Sequence, residues 1–365
     1  MTQASANPRK TPLYDLHVEL GGKMVDFAGW MMPVNYTSGV AAEHKQCRTS
    51  AALFDVSHMG QVELHGSDIA AKLETLCPSS FGKLPVGKAR YTFFTNPQGG
   101  IMDDLIVSNA GDYFFLVVNA SMREQDVAHL KTLDLDIREI DRSLIAIQGP
   151  AAETVVSAIA PAAADLKFME TGMFDLMGAE CRIARLGYTG EDGYEISVPN
   201  DRAVEITRKF LEHPDLEPAG LGARDSLRLE AGLCLYGNDI DNDTSPVEAN
   251  LVWAMQKARR EQGGFPGAER ILNELANGPS RRLVGIKPNG RAPARRGVEV
   301  ADADGNVIGS ITSGGFGPTY GGPVSMGYVS AKHSTEGTAV NLLIRGKSMP
   351  ATIIKLPFVA QNYKR

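Results

Sequence analysis

Short apolar runs bounded by Gly, Asn and Asp recur along the first three quarters of the chain. Such runs are typical of strands joined by tight turns. Helical patterns lie among them without a regular β-α-β order, which favours antiparallel sheets over a doubly wound parallel sheet. The pattern therefore predicts an α+β fold. The predicted strands cover residues 91–95, 105–107, 113–118, 144–147, 180–186 and 194–198.

Several predicted helices carry start or stop signals. Residues 121–124 and 245–248 both have the spacing of a capping box ahead of apolar positions. Pro150 favours the start of an Ala-rich helix that continues to residue 160, because proline suits the first helical position. Gly232 suits the end of a helix that precedes it.

The stretch Asn-Gly-Pro-Ser at 277–280 is the best candidate for a domain boundary. After it the pattern changes to short strands separated by Gly-rich turns. This tail is predicted to form a separate small β-barrel or sandwich. Its predicted strands cover residues 283–286, 298–300, 307–312, 324–329, 339–344 and 351–355.

Composition narrows the class of protein. The 365 residues are 43% hydrophobic and 22% charged, which excludes wholesale disorder and suits two or three domains. A net charge of −6 disfavours a general nucleic-acid binder, because phosphate neutralisation needs a basic face. Apolar runs are far shorter than the roughly 20 residues of a membrane-spanning helix. Four scattered cysteines and a start without an apolar leader point to a cytoplasmic protein.

Charge is uneven along the chain. Residues 253–299 carry ten Lys or Arg against four Glu, so this basic segment has a net charge of +6 and the remainder −12. A solvated linker face explains the segment adequately. The alternative is a docking surface for an acidic partner or a polyanionic substrate tail.

The usual cofactor motifs are absent from the sequence. There is no dinucleotide fingerprint, phosphate loop, HExxH helix or GxSxG elbow, and no CxxC pair. We therefore predict no metal, flavin or nicotinamide cofactor. His58 is the most suggestive of seven histidines, although a structural role fits it better than catalysis.

Two adjacent carboxylates, Asp103 and Asp104, open an apolar strand after Gly99 and Gly100. Successive strand residues point to opposite faces, so the two are not expected to act as one pair. We expect one to face solvent or a turn and the other an interior or cleft, where a carboxylate is costly unless it has partners. Turn capping and a functional carboxylate both remain open from the pattern alone.

Two further segments bear polar groups beyond what a turn requires. The segment 187–195 contains three Gly, Tyr188 and Glu195, and a hairpin turn explains only the Gly and Asp residues. Arg224 precedes a predicted helix, where a guanidinium could clamp a carboxylate or form an internal salt bridge.

Together these segments resemble the aminomethyltransferase (T-protein) family of the glycine cleavage system, nearly end to end. The resemblance rests on ordered blocks over some 350 residues, at 11–15, 22–30, 53–59, 99–106, 148–150, 187–191, 222–233, 235–239, 311–314 and 357–359. It implies transfer of the one-carbon unit from the aminomethyl-lipoyl arm of H-protein to tetrahydrofolate. The implied products are ammonia and 5,10-methylenetetrahydrofolate.

The resemblance also implies a three-domain cloverleaf, with two interleaved antiparallel α/β domains and a C-terminal β-barrel or jelly-roll-like domain. The corresponding bounds are 1–52 plus 141–240, 53–140 plus 241–278, and 279–365. Tetrahydrofolate is then a co-substrate, and lipoylated H-protein is the partner. Neither nucleic acid nor a membrane is expected.

The family's functional residues carry over position by position. Asp104 matches the catalytic Asp, which contacts the folate amine region and the nascent iminium; its neighbour Asp103 is the alternative register. Glu195 and Arg224 match pterin- and folate-contacting residues. The C-terminal tyrosine of the family matches Tyr363. The resemblance further suggests that three tyrosines line the same cavity, namely Tyr188, Tyr236 and Tyr91.

Two alternatives share this fold. A folate-binding iron–sulfur-cluster assembly factor would carry a cysteine within residues 185–191, and none is present. A folate-dependent demethylase component would come with a flavin domain, and no dinucleotide fingerprint is found. The aminomethyltransferase therefore remains the leading hypothesis.

Overall fold

The computed structural model describes residues 7–365. Residues 1–6 lie outside the described residues. They include the start of the predicted first domain and of the stretch predicted to lack an apolar leader. Within 7–365 the strands are β1 Arg9–Lys10, β2 Lys23–Phe27, β3 Trp30–Asn35, β4 Ala51–Asp55, β5 Gly60–His65, β6 Ala89–Thr95, β7 Ile101–Asn109, β8 Phe114–Val118, β9 Asp136–Glu139, β10 Arg142–Gln148, β11 Thr171–Leu176, β12 Ala179–Ala184, β13 Gly193–Pro199, β14 Leu216–Pro218, β15 Arg281–Pro288, β16 Glu299–Ala301, β17 Val307–Gly317, β18 Gly322–Ser330, β19 Ala339–Ile344 and β20 Lys347–Ile354.

Helices are short and lie between the strands. The α-helices are α1 Tyr14–Glu19, α2 Val40–Thr49, α3 Ile69–Leu73, α4 Arg123–Leu130, α5 Ala152–Ser157, α6 Ala203–Leu211, α7 Leu221–Glu230, α8 Lys257–Gln262 and α9 Ala268–Asn277. In the described part of the chain, 3₁₀ turns cover Pro161–Asp165, Asn200–Arg202, Val252–Ala254 and Ala331–His333.

Three open sheets form the part of the fold before the tail. Their strand orders are β1-β3-β2, β11-β12-β13-β10-β4-β14 and β6-β7-β8-β5-β9. The chain leaves the six-stranded sheet after β4, builds the five-stranded sheet, and returns at β10. Most neighbours are antiparallel, and the parallel pairs are β1 with β3 and β4 with β14. The two larger sheets are thus interleaved in sequence, while the domain bounds given above stay a prediction.

Each larger sheet has its own core, and a third cluster lies between them. Under the six-stranded sheet, Ile145 and Ile196 pack with residues of α5 and α6. Under the five-stranded sheet, Leu105 and Val107 pack with residues of α3 and α4. Between the sheets, residues of β4, β8 and β10 meet α7. The opposed faces of the two sheets therefore meet around α7, which is where the candidate site forms.

The tail is a closed barrel with the strand order β15-β18-β17-β16-β19-β20. Helix α9 ends at Asn277 and β15 begins at Arg281, so the predicted boundary at 277–280 falls in the connection between them. The prediction of an α+β fold with a C-terminal β-barrel is confirmed, and closure selects the barrel over the sandwich.

The predicted helix starts and ends agree with the structure to different degrees. Gly232 has φ +67° just after α7, as a helix stop requires. The capping box at 121–124 is wrong: α4 begins at Arg123 after Met122, without a side-chain capping bond. Pro150 precedes a helix that ends at Ser157, three residues short of the prediction.

The second capping box forms its bonds but starts no helix. The backbone N–H of Ser245 donates to Glu248 Oε2 at 3.0 Å, and the Glu248 N–H donates to Ser245 Oγ at 3.1 Å. The chain then turns away, because Asn250 adopts a left-handed φ of +58°. Glu248 instead serves as an ion-pair partner for Arg270 and Arg281.

Candidate functional site

Asp104 lies on β7 with its side chain on the face that looks toward the six-stranded sheet. Side chains alternate along a strand, so Asp104 shares its face with Ile106 and Ser108. Those two residues line a small cavity between the sheets. Asp103 points the other way, into the core that α4 covers, and is 0% exposed. Asp104 is partly exposed, so Asp103 is the carboxyl that faces an interior, and Asp104 lies at the edge of the cavity.

The turn before β7 fixes where this strand begins. The Asn96 side chain accepts hydrogen bonds from the backbone N–H groups of Gln98 and Gly100, at 3.0 and 2.9 Å. A Cβ at Gly100 would lie 1.7 Å from the carbonyl oxygen of Asn242, so only glycine fits there. The Gly-Gly pair thus sets the register of the two aspartates.

Both oxygens of Asp104 accept hydrogen bonds from neutral donors. The Tyr91 hydroxyl on β6 donates to Oδ2 at 3.0 Å, and Asn119 Nδ2, just after β8, donates to Oδ1 at 2.9 Å. The same amide donates to Asp103 Oδ1 at 2.9 Å. The two aspartates therefore belong to one hydrogen-bonded unit through Asn119, although the alternation of the strand separated them.

The environment raises the proton affinity of Asp104. Burial, followed by the neighbouring charge of Asp103, raises the pKa of Asp104 to about 7, while the bonds from Tyr91 and Asn119 act in the opposite direction. A carboxyl group with such a pKa can be charged or neutral near physiological pH. This property is typical of functional carboxyl groups in enzymes.

Glu195 lies on β13 and lines the same cavity from the opposite sheet, with 8% of its surface exposed. Burial raises the pKa of Glu195, and the nearby Arg224 guanidinium partly offsets that rise. The remaining lining comes from strands of both sheets. It comprises Phe115, Val117, Leu144, Arg182, Ala184, Leu186 and Ser197.

Arg224 and Tyr188 stand together beside Glu195. The Arg224 guanidinium lies 5.0 Å from the centre of the Tyr188 ring, a cation–π arrangement. Its Nη1 is buried and has no hydrogen-bond partner among the described residues. The Tyr188 hydroxyl donates to the carbonyl of Cys234. An unpaired buried guanidinium nitrogen is costly without a ligand, so Arg224 has a free donor for a carbonyl or carboxylate.

His58 is a neighbour of Arg224 that the sequence singled out only weakly. It is 5% exposed, its Nδ1 has no partner among residues 7–365, and its ring meets Phe27 edge-on at 5.6 Å. Burial lowers the pKa of His58 to about 4, with the charge of Arg224 acting the same way. The imidazole is therefore neutral at physiological pH.

Two aromatic groups complete the surroundings of Asp104. The Tyr91 ring stacks on Trp253, with centroids 5.3 Å apart, and Trp253 is 67% exposed. Tyr236 follows α7, and burial raises its pKa, with the nearby charges of Asp103 and Asp104 adding to the rise. The structure thus brings together Asp104, Tyr91, Tyr188, Tyr236, Glu195 and Arg224.

Tyr363 has different neighbours. Its ring stacks on Phe168 at a centroid distance of 4.2 Å. The charged groups that act on the pKa of its phenol are Arg48, Glu191 and Arg365, none of them in the group around Asp104. A ligand-binding role for Tyr363 remains a prediction.

Helix α7 and the segment after it are tied to the barrel by a buried ion pair. Arg228 Nη1 donates to Asp239 Oδ2 at 2.7 Å, and Arg228 Nη2 donates to Ser313 Oγ at 2.9 Å. Asp239 also accepts from Thr312 of β17. This clamp holds the helix that bears Arg224, and it accounts for two of the blocks that carry the family resemblance, 235–239 and 311–314.

Residues 7–365 lack the features of a metal site and of a membrane-spanning helix. No group of three or more His, Cys, Asp or Glu side chains in that range could hold a metal ion. No helix in the described part of the chain is long and apolar enough to cross a membrane.

Comparisons with known proteins define the family. The model described as "GCVT N-terminal domain" matches residues 13–259, and the "Glycine cleavage T-protein C-terminal barrel domain" matches residues 281–360. The chain therefore belongs to the glycine cleavage T-protein family.

Individual relatives agree along nearly the whole chain. The mitochondrial aminomethyltransferase of Dictyostelium discoideum is 45% identical, covering 98% of this chain and 94% of that protein. The probable mitochondrial aminomethyltransferase of Schizosaccharomyces pombe is 44% identical, covering 99% and 96%. The crystal structure of aminomethyltransferase T from Bartonella henselae matches with a TM-score of 0.93 and 42% identity, covering 98% and 99%.

These relationships confirm the predicted family, fold class and function, that of a tetrahydrofolate-dependent aminomethyltransferase of glycine cleavage. The demethylase and iron–sulfur alternatives are not favoured. One prediction is wrong: the expected cytoplasmic location is contradicted, because the curated relatives are named mitochondrial. That expectation rested on the absence of a leader and on sparse cysteines, neither of which identifies a compartment.

Sequence reasoning missed the roles of five residues in the site region. Asn119 had no distinguishing pattern, although its position just after an apolar strand beside Asp104 was a usable signal. Asp126 was hidden within an ordinary amphipathic helix. Trp253 was read only as the start of a basic segment. The Arg228–Asp239 pair spans two blocks, and no spacing rule joins them.

Proposed function

We propose that tetrahydrofolate binds in the cavity between the two sheets, with the carbon to be transferred next to Asp104. The lipoyl arm of H-protein delivers that carbon as an aminomethyl group. Ammonia leaves and 5,10-methylenetetrahydrofolate forms. The observation that carries the proposal is the Asp104 carboxyl, half-buried beside the cavity and held by the neutral donors Tyr91 and Asn119.

The chemistry asks little of the protein beyond position and charge. An aminomethyl thioether gives an iminium cation when its sulfur departs as a thiol of the lipoyl arm, and a fixed carboxylate stabilises the developing positive charge. A folate nitrogen then bonds to that carbon, and ammonia leaves as the second folate nitrogen closes the methylene bridge. Holding the folate nitrogen against that carbon converts a bimolecular step into an effectively unimolecular one, worth up to about 7–11 kcal/mol in favourable cases. Ionised Asp104 supplies the charge without reorganisation, because both of its oxygens are already hydrogen-bonded.

Glu195 and Arg224 suit the two polar ends of a folate. A carboxylate such as Glu195 accepts hydrogen bonds from the amino and ring N–H groups of a pterin. The unpaired Nη1 of Arg224 supports contact with a carbonyl or carboxylate of the ligand. His58, neutral beside Arg224, adds no competing positive charge.

We further propose that H-protein docks against the basic segment near Trp253. Part of the segment serves internal contacts: Arg270 and Arg281 pair with Glu248. Lys257 and Arg260 of α8 remain exposed next to the exposed Trp253. A cationic surface beside the aromatic group that covers Tyr91 supports docking of an acidic carrier close to Asp104.

The direct test supplies purified protein with aminomethylated H-protein and follows ammonia release with and without tetrahydrofolate. We expect release to depend on folate. Ammonia release that does not depend on tetrahydrofolate, or no release at all, would refute the proposed reaction. Glu195→Gln tests the binding assignment: it should weaken folate binding about tenfold or more, whereas Glu180→Gln, an exposed glutamate on neighbouring β12, should not.

A further inference from the structure

Two more buried carboxyl groups stand behind Asp104. Asp103 on β7 and Asp126 on α4 are both 0% exposed. Their carboxyl groups are in hydrogen-bonding contact with one another. Two ionised carboxylates in contact and away from water repel strongly, so such a pair holds one proton between them. Burial is the main cause that raises the pKa of both groups, while their mutual contact adds to the rise at Asp103 and opposes it at Asp126.

That contact alone would place the proton on Asp103, but the hydrogen-bond donors around the pair favour Asp126. Asp103 accepts from Asn119 twice, from the backbone N–H at 3.2 Å and from Nδ2 at 2.9 Å. Both oxygens of Asp126 are buried, and no N–H or hydroxyl donor among residues 7–365 reaches them. An ionised carboxylate needs donors, whereas a neutral acid needs an acceptor. This inventory favours neutral Asp126 donating to ionised Asp103.

We propose that Asp126 is a neutral acid that donates its proton to ionised Asp103, and that this pair aims the Asn119 amide at Asp104. The inference rests on the proposed role of Asp104. Asn119 Nδ2 meets only acceptors: Asp103 Oδ1, Asp104 Oδ1 and the Asp104 carbonyl, at 2.9, 2.9 and 3.0 Å. While Asp103 is ionised, a flipped Asn119 amide would turn its oxygen toward carboxylates, so the donor orientation is locked. Asp126 is thus a positioning residue that acts through Asp103.

The same arrangement sets the working pH of the site. Burial raises the pKa of Asp104, and the charge on Asp103 adds to that rise. Several other titratable groups surround these carboxyls from the adjoining elements. They are Tyr91 on β6, Tyr188 in the turn before β13, and Cys234 and Tyr236 after α7.

Three variants separate this proposal from its alternatives by their pH–rate profiles. Asp103→Asn removes the charge nearest Asp104, so the pH of half-maximal kcat should fall by about one unit. Asp126→Asn keeps a donor toward Asp103, so the profile should stay in place with kcat within about threefold. Asp126→Leu removes that donor, Asp103 takes up its own proton, and the profile should move as in Asp103→Asn, with kcat about tenfold lower because Asn119 is no longer locked. Glu124→Gln, an exposed change on the same helix, should alter nothing.

A spectroscopic readout does not depend on catalysis. Infrared difference spectra of wild type against Asp126→Asn at pH 9, where Asp104 is ionised, should show the carbonyl band of one protonated buried carboxyl. If that band is absent, the pair is fully ionised and the proposal is wrong. If Asp103→Asn leaves the pH profile unchanged and Asp126→Asn moves it, the proton sits on Asp103, which also overturns the proposal. If the carbonyl band is present but no variant shifts the pH–rate profile, the role given to Asp104 is refuted instead. Thermal melting of each variant shows whether it is folded.

Discussion

Replacing Asp239 by Ala should destabilise the junction between α7 and the barrel. Asp239 is 1% exposed, and its carboxylate accepts from Arg228 Nη1 at 2.7 Å, Ser313 Oγ at 2.8 Å and the Leu235 N–H at 2.9 Å. The substitution leaves the buried Arg228 guanidinium without this counter-ion. Breaking one side of a buried pair in this way costs about 3–5 kcal/mol.

The chain offers a matched control on the same guanidinium. Asp225 also pairs with Arg228, at 2.9 Å, but its side chain is 61% exposed. Asp225→Ala should cost only about 0–1 kcal/mol, because water replaces an exposed partner at little loss. Differential scanning calorimetry of the two variants provides the comparison, with the Asp239 variant melting several degrees lower. Equal melting temperatures for the two would refute the reasoning that burial makes the Arg228–Asp239 pair critical.

Three further predictions follow from the site. Catalysis needs ionised Asp104, whose pKa is raised to about 7. The value of kcat should therefore fall about tenfold per pH unit below pH 7 and level off above it. A flat pH–rate profile from pH 5 to 8 would contradict this. Tyr91→Phe removes a hydrogen-bond donor to the Asp104 carboxylate, which raises the pKa of Asp104. The acidic limb of the pH–rate profile should therefore move to higher pH by about one unit. Affinity for H-protein, measured by calorimetry, should weaken as the salt concentration rises through about 0.1 M. The double variant Lys257→Gln/Arg260→Gln should show a smaller salt dependence. An affinity that does not depend on salt would refute the docking proposal.

Local patterns were sufficient for some of the strands. Short apolar runs bounded by turn residues located β6, β7 and β10, because such runs are typical of strands buried in a sheet. The same criterion did not predict β1 to β5, β9, β11 or β14. Gly232 likewise ended its helix as expected, since a left-handed residue there depends on local backbone alone. The helix starts were less certain: the bonds of a capping box formed at Ser245 and Glu248, yet the ion pairs of Glu248 and the turn at Asn250 prevented a helix.

The candidate site could be predicted only in part, because it joins residues that are far apart in the chain. The residues around Asp104 came from a resemblance that spans many blocks, and the geometry places six of the seven near one another, with Glu195 lining the cavity. Asn119 and Asp126 could not be inferred, since their roles depend on hydrogen bonds across β7 and α4. The opposed directions of Asp103 and Asp104 were correctly expected, but the amide that links them lies fifteen residues beyond Asp104.

The measurement that tests the account most directly is the rate of folate-dependent ammonia release by Asp104→Asn, alongside its affinity for tetrahydrofolate. Asn preserves the size of the side chain and removes the charge. We predict that kcat falls by about two orders of magnitude or more, while the folate Kd changes less than about threefold. A near-normal rate with intact folate binding would contradict the claim that the Asp104 carboxylate stabilises the reacting carbon.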